Sequence, residues 1–411
     1  MLYCSSCIDT KLIFNWGVMG LIMKKRAMLL LVLILSFLFT ACADSQKNND
    51  FKGMDSKAFF ESITLPEHLR VDIPFEAVKQ IDEAKLYKAK HLNFDLEKLK
   101  TAFMKNSVTE EKYWAEGPQL IASKGNIKEY LSLYDGGRSF GAENGMDGGF
   151  AYMTVKDDRL WNKLNTVAST GFDIPGLNAQ KYGYSINTDY EFGRDLDFMS
   201  YEDSLRDIKR IFETAEMPPF DVAEAYSLDL ETINKHYELY LKSEDALIEK
   251  SSLSWDKEDE SYLFSLRQLI DTIPVVNKSW QMLDGTKGSA WGNPMPATTV
   301  TLVYDKSGIS EITAYNVLTV AEELESRSLI SLFEALNILI EDYSLIILEE
   351  DIRIISGELC YLSIPEADGI KLVPGWLFCS VKAATINNNT YNTYKFDAID
   401  AVTGKLYPDR W

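Results

Sequence analysis

The 411-residue chain is poor in the residues that most enzyme chemistry needs, with three histidines and five cysteines. His68, His91 and His236 lie far apart, in neither His-Glu-x-x-His nor His-x-His spacing, and no Cys/His pattern has the spacing of zinc ligands. There is no Gly-x-Ser-x-Gly elbow to expose a serine nucleophile. No Gly-Lys-Ser/Thr follows a glycine run to cradle a phosphate, and no EF-hand loop is present. The expectation is therefore of no catalytic residues, no metal site and no cofactor: a protein that is not an enzyme. Positive charge is scarce as well. Against 62 acidic residues stand 42 Lys and Arg, a net charge of −20. That balance argues against nucleic acid and anionic lipid as partners, and in its simplest role it keeps the protein soluble.

Long hydrophobic runs are almost absent too, and the exception is informative. From Met23 the chain reads MKKRAMLLLVLILSFLFTAC, with Lys24, Lys25 and Arg26 ahead of an apolar run from Met28 to Phe39 broken only by Ser36. The run is shorter than the about 20 residues that a spanning helix needs. A cationic start, a short apolar helix and small residues before a cysteine make a secretory signal over 23–41. Phe39-Thr40-Ala41-Cys42 resembles the bacterial lipobox, with Phe39 where leucine is commonest. The resemblance implies that Cys42 carries lipid and that the protein works on the extracytoplasmic face of the cell membrane. An ordinary cleaved signal or an uncleaved anchor is the simpler alternative. Residues 1–22 are expected to be an over-long gene start, which removes the weight of Cys4-x-x-Cys7. Residues 42–61 are polar and read as a flexible tether. The four cations and one acid before Cys42 leave −23 for the part that follows.

Only Cys360 and Cys379 remain beyond Cys42, both in apolar, strand-like stretches. They form either a disulfide between neighbouring strands, as an exported protein allows, or two buried free thiols. An aromatic share of 12% supports real cores.

Hydrophobic periodicity divides the rest into three α+β regions, 62–165, 166–296 and 297–411, with helices packed on antiparallel sheets. In the first region, Glu76 to Lys90 has helical spacing through Phe75, Val78, Ile81, Ala84 and Leu86. Asp95 opens a short helix with Leu96, Leu99 and Phe103 apolar, and PQLIAS, EYLSLYDGG and GGFAYMTV alternate as hairpin strands. The loop Gly136–Gly141 can either approach a ligand or merely turn the chain. In the middle region, Ser200 or Asp203 caps a helix through Leu205, Ile208, Ile211 and Phe212, ended by Pro218-Pro219. A strand over 222–230, an amphipathic stretch through Tyr237, Tyr240, Leu241 and Leu247, and a helix from Tyr262 to Ile273 follow. In the third, TTVTLVYDKSGISEITAYNVLTV forms a hairpin turning at Asp305-Lys306-Ser307-Gly308. SLISLFEALNILIEDY is a helix, and three strands close the chain.

Residues of this third region resemble the PepSY-type fold, in the variant of the YycH/YycI regulatory proteins. The resemblance rests on the helix with Leu332, Glu334, Ala335 and Leu336, on ELCYLSI, on Leu372-Val373-Pro374-Gly375-Trp376-Leu377-Phe378, and on Phe396 through Leu406, with Asp400-Ala401-Val402-Thr403-Gly404 at a closing turn. It covers about a quarter of the chain, and the middle region reads as a possible degenerate copy. It implies binding or restraint of a partner protein rather than catalysis. One departure is the anchor: those proteins hold the membrane by a helix, and this chain carries a lipid signal.

Two residues are nominated for contact with an envelope protein or peptide: Trp291, in a Gly/Pro-rich loop, and Trp376, whose simpler role is a core anchor. The runner-up is an envelope hydrolase or a glycan- or peptide-binding lipoprotein; the carboxylate pairs Asp195 with Asp197, and Asp256 with Asp259 and Glu260, either bind calcium or serve acid/base chemistry.

Overall fold

Polar caps and alternating apolar residues account for most of the elements in the computed structural model. It describes residues 51, 53–114, 117–134, 148–156, 184–185, 194–234, 255–277, 281–282, 293–294, 297–386 and 389–407. The chain clusters into two units, Met1–Gly53 and Met54–Trp411. All elements named here belong to the second.

Helix α1, Ser56–Ser62, starts where Asp55 accepts from the Ala58 amide at 2.8 Å. It falls within the stretch expected to be a tether. Phe59 is buried and stacks on Phe333 at 4.8 Å, so an aromatic anchor fixes what composition alone reads as loose chain. Strands β1 (Leu69–Val71) and β2 (Glu83–His91) follow, with a single 3-10 turn, Phe75–Ala77, between them. The helix expected over 76–90 is therefore corrected. From Glu83 onward Ala84, Leu86 and Ala89 are buried in a pairing with two other strands, and that pairing overrides the helix-forming alanines and lysines. Helix α2, Leu96–Phe103, is capped by Asp95 as expected.

Next come β3 (Val108–Trp114), β4 (Gly117–Lys124), β5 (Ile127–Tyr134), β6 (Gly149–Lys156) and the short β7 (Tyr184–Ser185). Helix α3, Tyr201–Thr214, is capped by Ser200, and β8 is Phe220–Leu228. Then β9 (Ser261–Ile270) and β10 (Ile273–Pro274) occupy the stretch expected to be a second helix, and with it goes the sequence argument for a degenerate copy. Nearly every β9 residue is buried because both faces are covered, Tyr262, Phe264 and Leu266 by the helix-side core and Leu263 by a second cluster with Tyr226 and Ile233, so it lacks the alternation that marks a strand. Strands β11 (Gln281–Met282) and β12 (Asn293–Pro294) pair, among the described residues, only with each other. The hairpin β13 (Thr299–Asp305) and β14 (Gly308–Tyr315) turns between Asp305 and Gly308 as expected. Strand β15 (Leu318–Ser328), helix α4 (Leu332–Tyr343) and the strands β16 (Ile352–Glu366), β17 (Gly369–Ile386), β18 (Asn389–Asp400) and β19 (Leu406–Tyr407) complete the fold.

The strands form two large, mainly antiparallel sheets. Sheet I has the order β1-β16-β17-β18-β19, with β2 joining β15 to the start of β17 and β7 on β18. Sheet II has the order β10-β9-β13-β14-β6-β5-β4-β3, with β8 also on β9. The three regions drawn along the sequence are not how these sheets divide the chain. The first region sends β1 and β2 to sheet I but β3 to β6 to sheet II, and the hairpin β13–β14 inserts between β9 and β6. The cause is burial: Val300, Leu302, Val303 and Tyr304 of β13 are all inaccessible, which requires strands on both edges and cover on both faces.

Helices α2 and α3 cover one face of sheet II, where Leu99, Phe103, Ile208 and Phe212 pack with Phe150, Tyr152, Phe264 and Leu302. On sheet I, α4 turns Leu332, Leu336, Leu339 and Ile340 inward, and its Ser331–Glu334 capping box satisfies the first turn. Cys360 and Cys379 are both buried, and neither is in a disulfide. Cys360 faces Gly375 across the ladder while Cys379 faces Ser356. Four residues of offset amount to about 13 Å at strand spacing, too far for a disulfide.

Candidate binding site

Several nominated positions lie outside the described residues: Cys42, Trp291, His236 and the loop Gly136–Gly141. Trp376 is described, and its position corrects its nomination for contact. Its side chain is 0% exposed, and its indole Nε1 donates to the Ile330 carbonyl at 3.0 Å, tying β17 to the entry of α4. The closing turn behaves as its residues suggest: Asp400 Oδ1 accepts from the amides of Val402 and Thr403 at 2.8 and 2.9 Å, and Gly404 takes φ +71°.

The carboxylate pairs do not converge. Asp195 accepts the Tyr201 amide at 2.8 Å, Asp197 pairs with Lys257 at 2.8 Å, and Asp256 and Asp259 close a capping box around one 3-10 turn. His68 Nδ1 lies 2.8 Å from Asp351 beside β1, whereas His91 ends β2 opposite Leu318. Among the described residues, no three His, Cys, Asp or Glu side chains are disposed to hold a metal ion.

Two polar clusters look chemical at first sight. In sheet I, Lys395 pairs with Asp397 at 2.9 Å, and the Tyr343 hydroxyl donates to Asp397 at 3.2 Å and lies 3.4 Å from Ser380 Oγ. All four side chains are buried beneath α4, which closes them to substrate. In sheet II, a cavity of about 280 Å³ lies between α2, α3 and the β13–β14 turn. Lys105 Nζ enters it and donates to Ser307 Oγ at 3.1 Å and to the Ile309 carbonyl at 3.2 Å. Burial of this ammonium lowers its pKa, with Asp305, Glu129 and Asp207 opposing the shift. Two of its three donors are spent on the hairpin turn, so it serves as a strut.

Strand β3 stands apart. Among the described residues it is the outermost strand of sheet II, paired with β4 alone, and all seven of its residues are exposed. Tyr113 is 76% and Trp114 59% accessible, and they lie on opposite faces because successive strand residues alternate. Local bonds hold both: Tyr113 OH donates to Glu111 at 2.6 Å and Trp114 Nε1 to Gln119 at 3.3 Å. A bulge between Val108 and Glu110 twists the start of the strand. The result is a row of outward backbone donors and acceptors on alternate residues, ending in two posed aromatics. Such an edge accepts another extended chain. The sequence nominated neither aromatic; VTEEKYW alternates, but only topology makes it an edge. A second exposed apolar stretch, Leu345–Ile347 after α4, runs straight into Glu349, Glu350 and Asp351.

No helix among the described residues is long and apolar enough to cross a membrane. No protein-family model matches the chain. No curated protein matches it. Among solved structures it is similar to an uncharacterised protein from Eubacterium rectale ATCC 33656, with 15% identity over 84% of this chain and 92% of that one and a TM-score of 0.52. That likeness supports the mixed α+β architecture.

Proposed function

We propose that this chain is an extracytoplasmic lipoprotein, held to the cell membrane by lipid on Cys42, that binds or regulates a cell-envelope polypeptide without catalysing a reaction. The exposed edge of β3, with Tyr113 and Trp114 accessible at its end, is the observation that carries the binding reading. Aromatic side chains presented beside unpaired backbone groups are the usual centre of a strand-addition interface. The partner it suits is an extended, cationic segment, since the strand carries Glu110 and Glu111 against Lys112 alone, on a chain with net charge −20. Support for the anchor is the signal-like segment ending in Phe39-Thr40-Ala41-Cys42. Support for a PepSY/YycI-type carboxy-terminal module is the packing of α4 on the meander β16–β17–β18, in the segment whose residues carry the resemblance.

Two experiments test this reading. If Cys42→Ala leaves the protein membrane-bound and normally processed, the lipid anchor is wrong. For the partner, a photo-crosslinker placed at Lys112 should capture one envelope polypeptide. A synthetic peptide spanning the captured stretch should bind wild type and lose at least about tenfold in affinity against Tyr113→Ala/Trp114→Ala. Scattered crosslinks, or cleavage of a glycan or peptide library by the purified protein, would overturn the binding role.

A further inference from the structure

Helix α4 ends in a turn that carries apolar side chains into solvent. Leu345 is 83%, Ile346 53% and Ile347 93% accessible, three in succession on one loop. Elsewhere among the described residues, the exposed large apolar side chains stand on strands β3 and β15. The backbone entering this turn is already paired. The amides of Ser344, Leu345 and Ile346 donate to the carbonyls of Ile340, Asp342 and Tyr343 at 3.0, 3.1 and 3.4 Å. Amides satisfied in this way leave water without the penalty of unpaired backbone groups.

Size and position in the chain decide what covers these residues. Three side chains on a turn fall well short of the about 800 Å² per partner that a stable protein interface buries. A fluid apolar phase needs no such area or complementarity. Only about 13 residues separate Cys42 from Ser56, the first residue of α1, and they span at most about 45 Å. Phe59 of α1 stacks on Phe333 in the first turn of α4, and α4 is about 18 Å long. A bilayer that holds Cys42 is therefore within reach of either end of α4. The charges beside the turn set the kind of lipid. Glu350 pairs with Lys382 at 3.5 Å and Asp351 with Arg70 at 3.9 Å, while Glu341, Asp342 and Glu349 flank the apolar residues directly. Such a rim repels anionic headgroups and tolerates zwitterionic ones, whose outer layer is a quaternary ammonium.

We propose that Leu345, Ile346 and Ile347 insert into the acyl layer of a zwitterionic bilayer, and so fix which end of the anchored protein faces the membrane. The inference rests on the anchor at Cys42. Three apolar side chains hold a free protein on a membrane only weakly. On a protein already tethered there, insertion is intramolecular, and a weak contact suffices. The contact uses no residue of β3, whose edge stays open to another chain.

The test is fluorescence of the lipidated protein in phosphatidylcholine vesicles, with Ile347→Cys carrying an environment-sensitive NBD label. Cys360 and Cys379 are buried and so escape labelling. Expected are a blue-shifted emission and its loss when the lipid is brominated in the acyl chains. The same label at Lys306→Cys, on the β13–β14 turn, should keep the emission it has in water. Ile346→Asp, at an exposed position, should return the Ile347 label to its aqueous emission with the unfolding midpoint unchanged. If mass spectrometry finds no lipid on Cys42, the anchor reading alone fails. The label is then read on protein held at residue 42 by an amino-terminal histidine tag on nickel-chelating lipid. Insertion is overturned if the Ile347 label on tethered protein ignores the vesicles, if the Lys306 label responds alike, or if Ile346→Asp changes nothing. It is also overturned if the blue shift follows protein concentration without vesicles, since a second copy then covers the turn.

Discussion

Gln268 and Leu318 form a two-way pair: the Gln268 amide nitrogen donates to the Leu318 carbonyl at 2.7 Å, and its amide oxygen accepts the Leu318 N–H at 2.9 Å. The side chain imitates a peptide group. It does so where β14 ends and the chain crosses to β15 of sheet I, so one glutamine of β9 holds the two sheets in register. It is 2% exposed. Gln268→Leu keeps the volume but orphans both backbone groups. The expected loss is about 3 kcal/mol in urea unfolding, from two unsatisfied buried groups. A change under about 0.5 kcal/mol would show that water or a neighbour takes over the pairing.

Trp376→Phe tests the core role of that tryptophan. The Ile330 carbonyl loses its donor and a small void opens under α4. The expected cost is about 2–3 kcal/mol, read as a fall in the denaturation midpoint at constant slope. A variant as stable as wild type would mean that the indole is not an anchor.

The two-residue turn between β9 and β10 is strained. Asp271 takes φ +47° and Thr272 φ +69°, although a β-branched residue strongly disfavours that region. Tyr87 holds Asp271 and Lys79 holds Thr272. Thr272→Gly should therefore stabilise the protein by about 1 kcal/mol, the relief exceeding one exposed hydrogen bond and the added freedom of the unfolded chain. A lower melting temperature would contradict this account.

Alkaline titration should expose the buried phenols. Burial raises the pKa of Tyr87, Tyr152, Tyr304, Tyr315 and Tyr361, and pushes Tyr407 up to about 12. Each holds its proton more tightly folded than unfolded. Stability from this source is thus complete below about pH 10 and is lost as pH climbs towards the folded values. Phenolate absorbance should rise in two phases, the second coincident with loss of circular dichroism. A single early phase with the fold intact would refute the burial of these hydroxyls.

A fragment of residues 297–411 should not fold, despite its clear pattern. It lacks β9 and β6, which flank the β13–β14 hairpin, and β2, which pairs with both β15 and the start of β17. Limited proteolysis should digest it throughout; a resistant, cooperatively melting fragment would show that the module is autonomous.

What was legible in the sequence is what local chemistry decides. The cap at Ser200, the stripe of α4, the turn at Asp305–Gly308 and the closing meander are all set within a few residues. Residues 76–90 and 262–273 carry helical spacing, yet β2 and β9 form within them because their conformation is imposed from afar. The first is rich in helix formers, and the second is covered on both faces, which erases the period-two signal. The candidate sites were hidden for the same reason. Nothing in VTEEKYW says that β3 has β4 as its one neighbour among the described residues.

Sheet I also has a consequence for how the chain comes together. Its first strands are matched to its last: β1 has β16 as its partner, and His68 meets Asp351 across 283 positions. A chain emerging from its amino end must therefore carry β1 and β2 unmatched until almost everything else has appeared. Closing so large a loop is entropically costly before any contact rewards it. Assembly of sheet I is then a late, slow event, and the waiting strands are the stretch that most needs shielding from other chains.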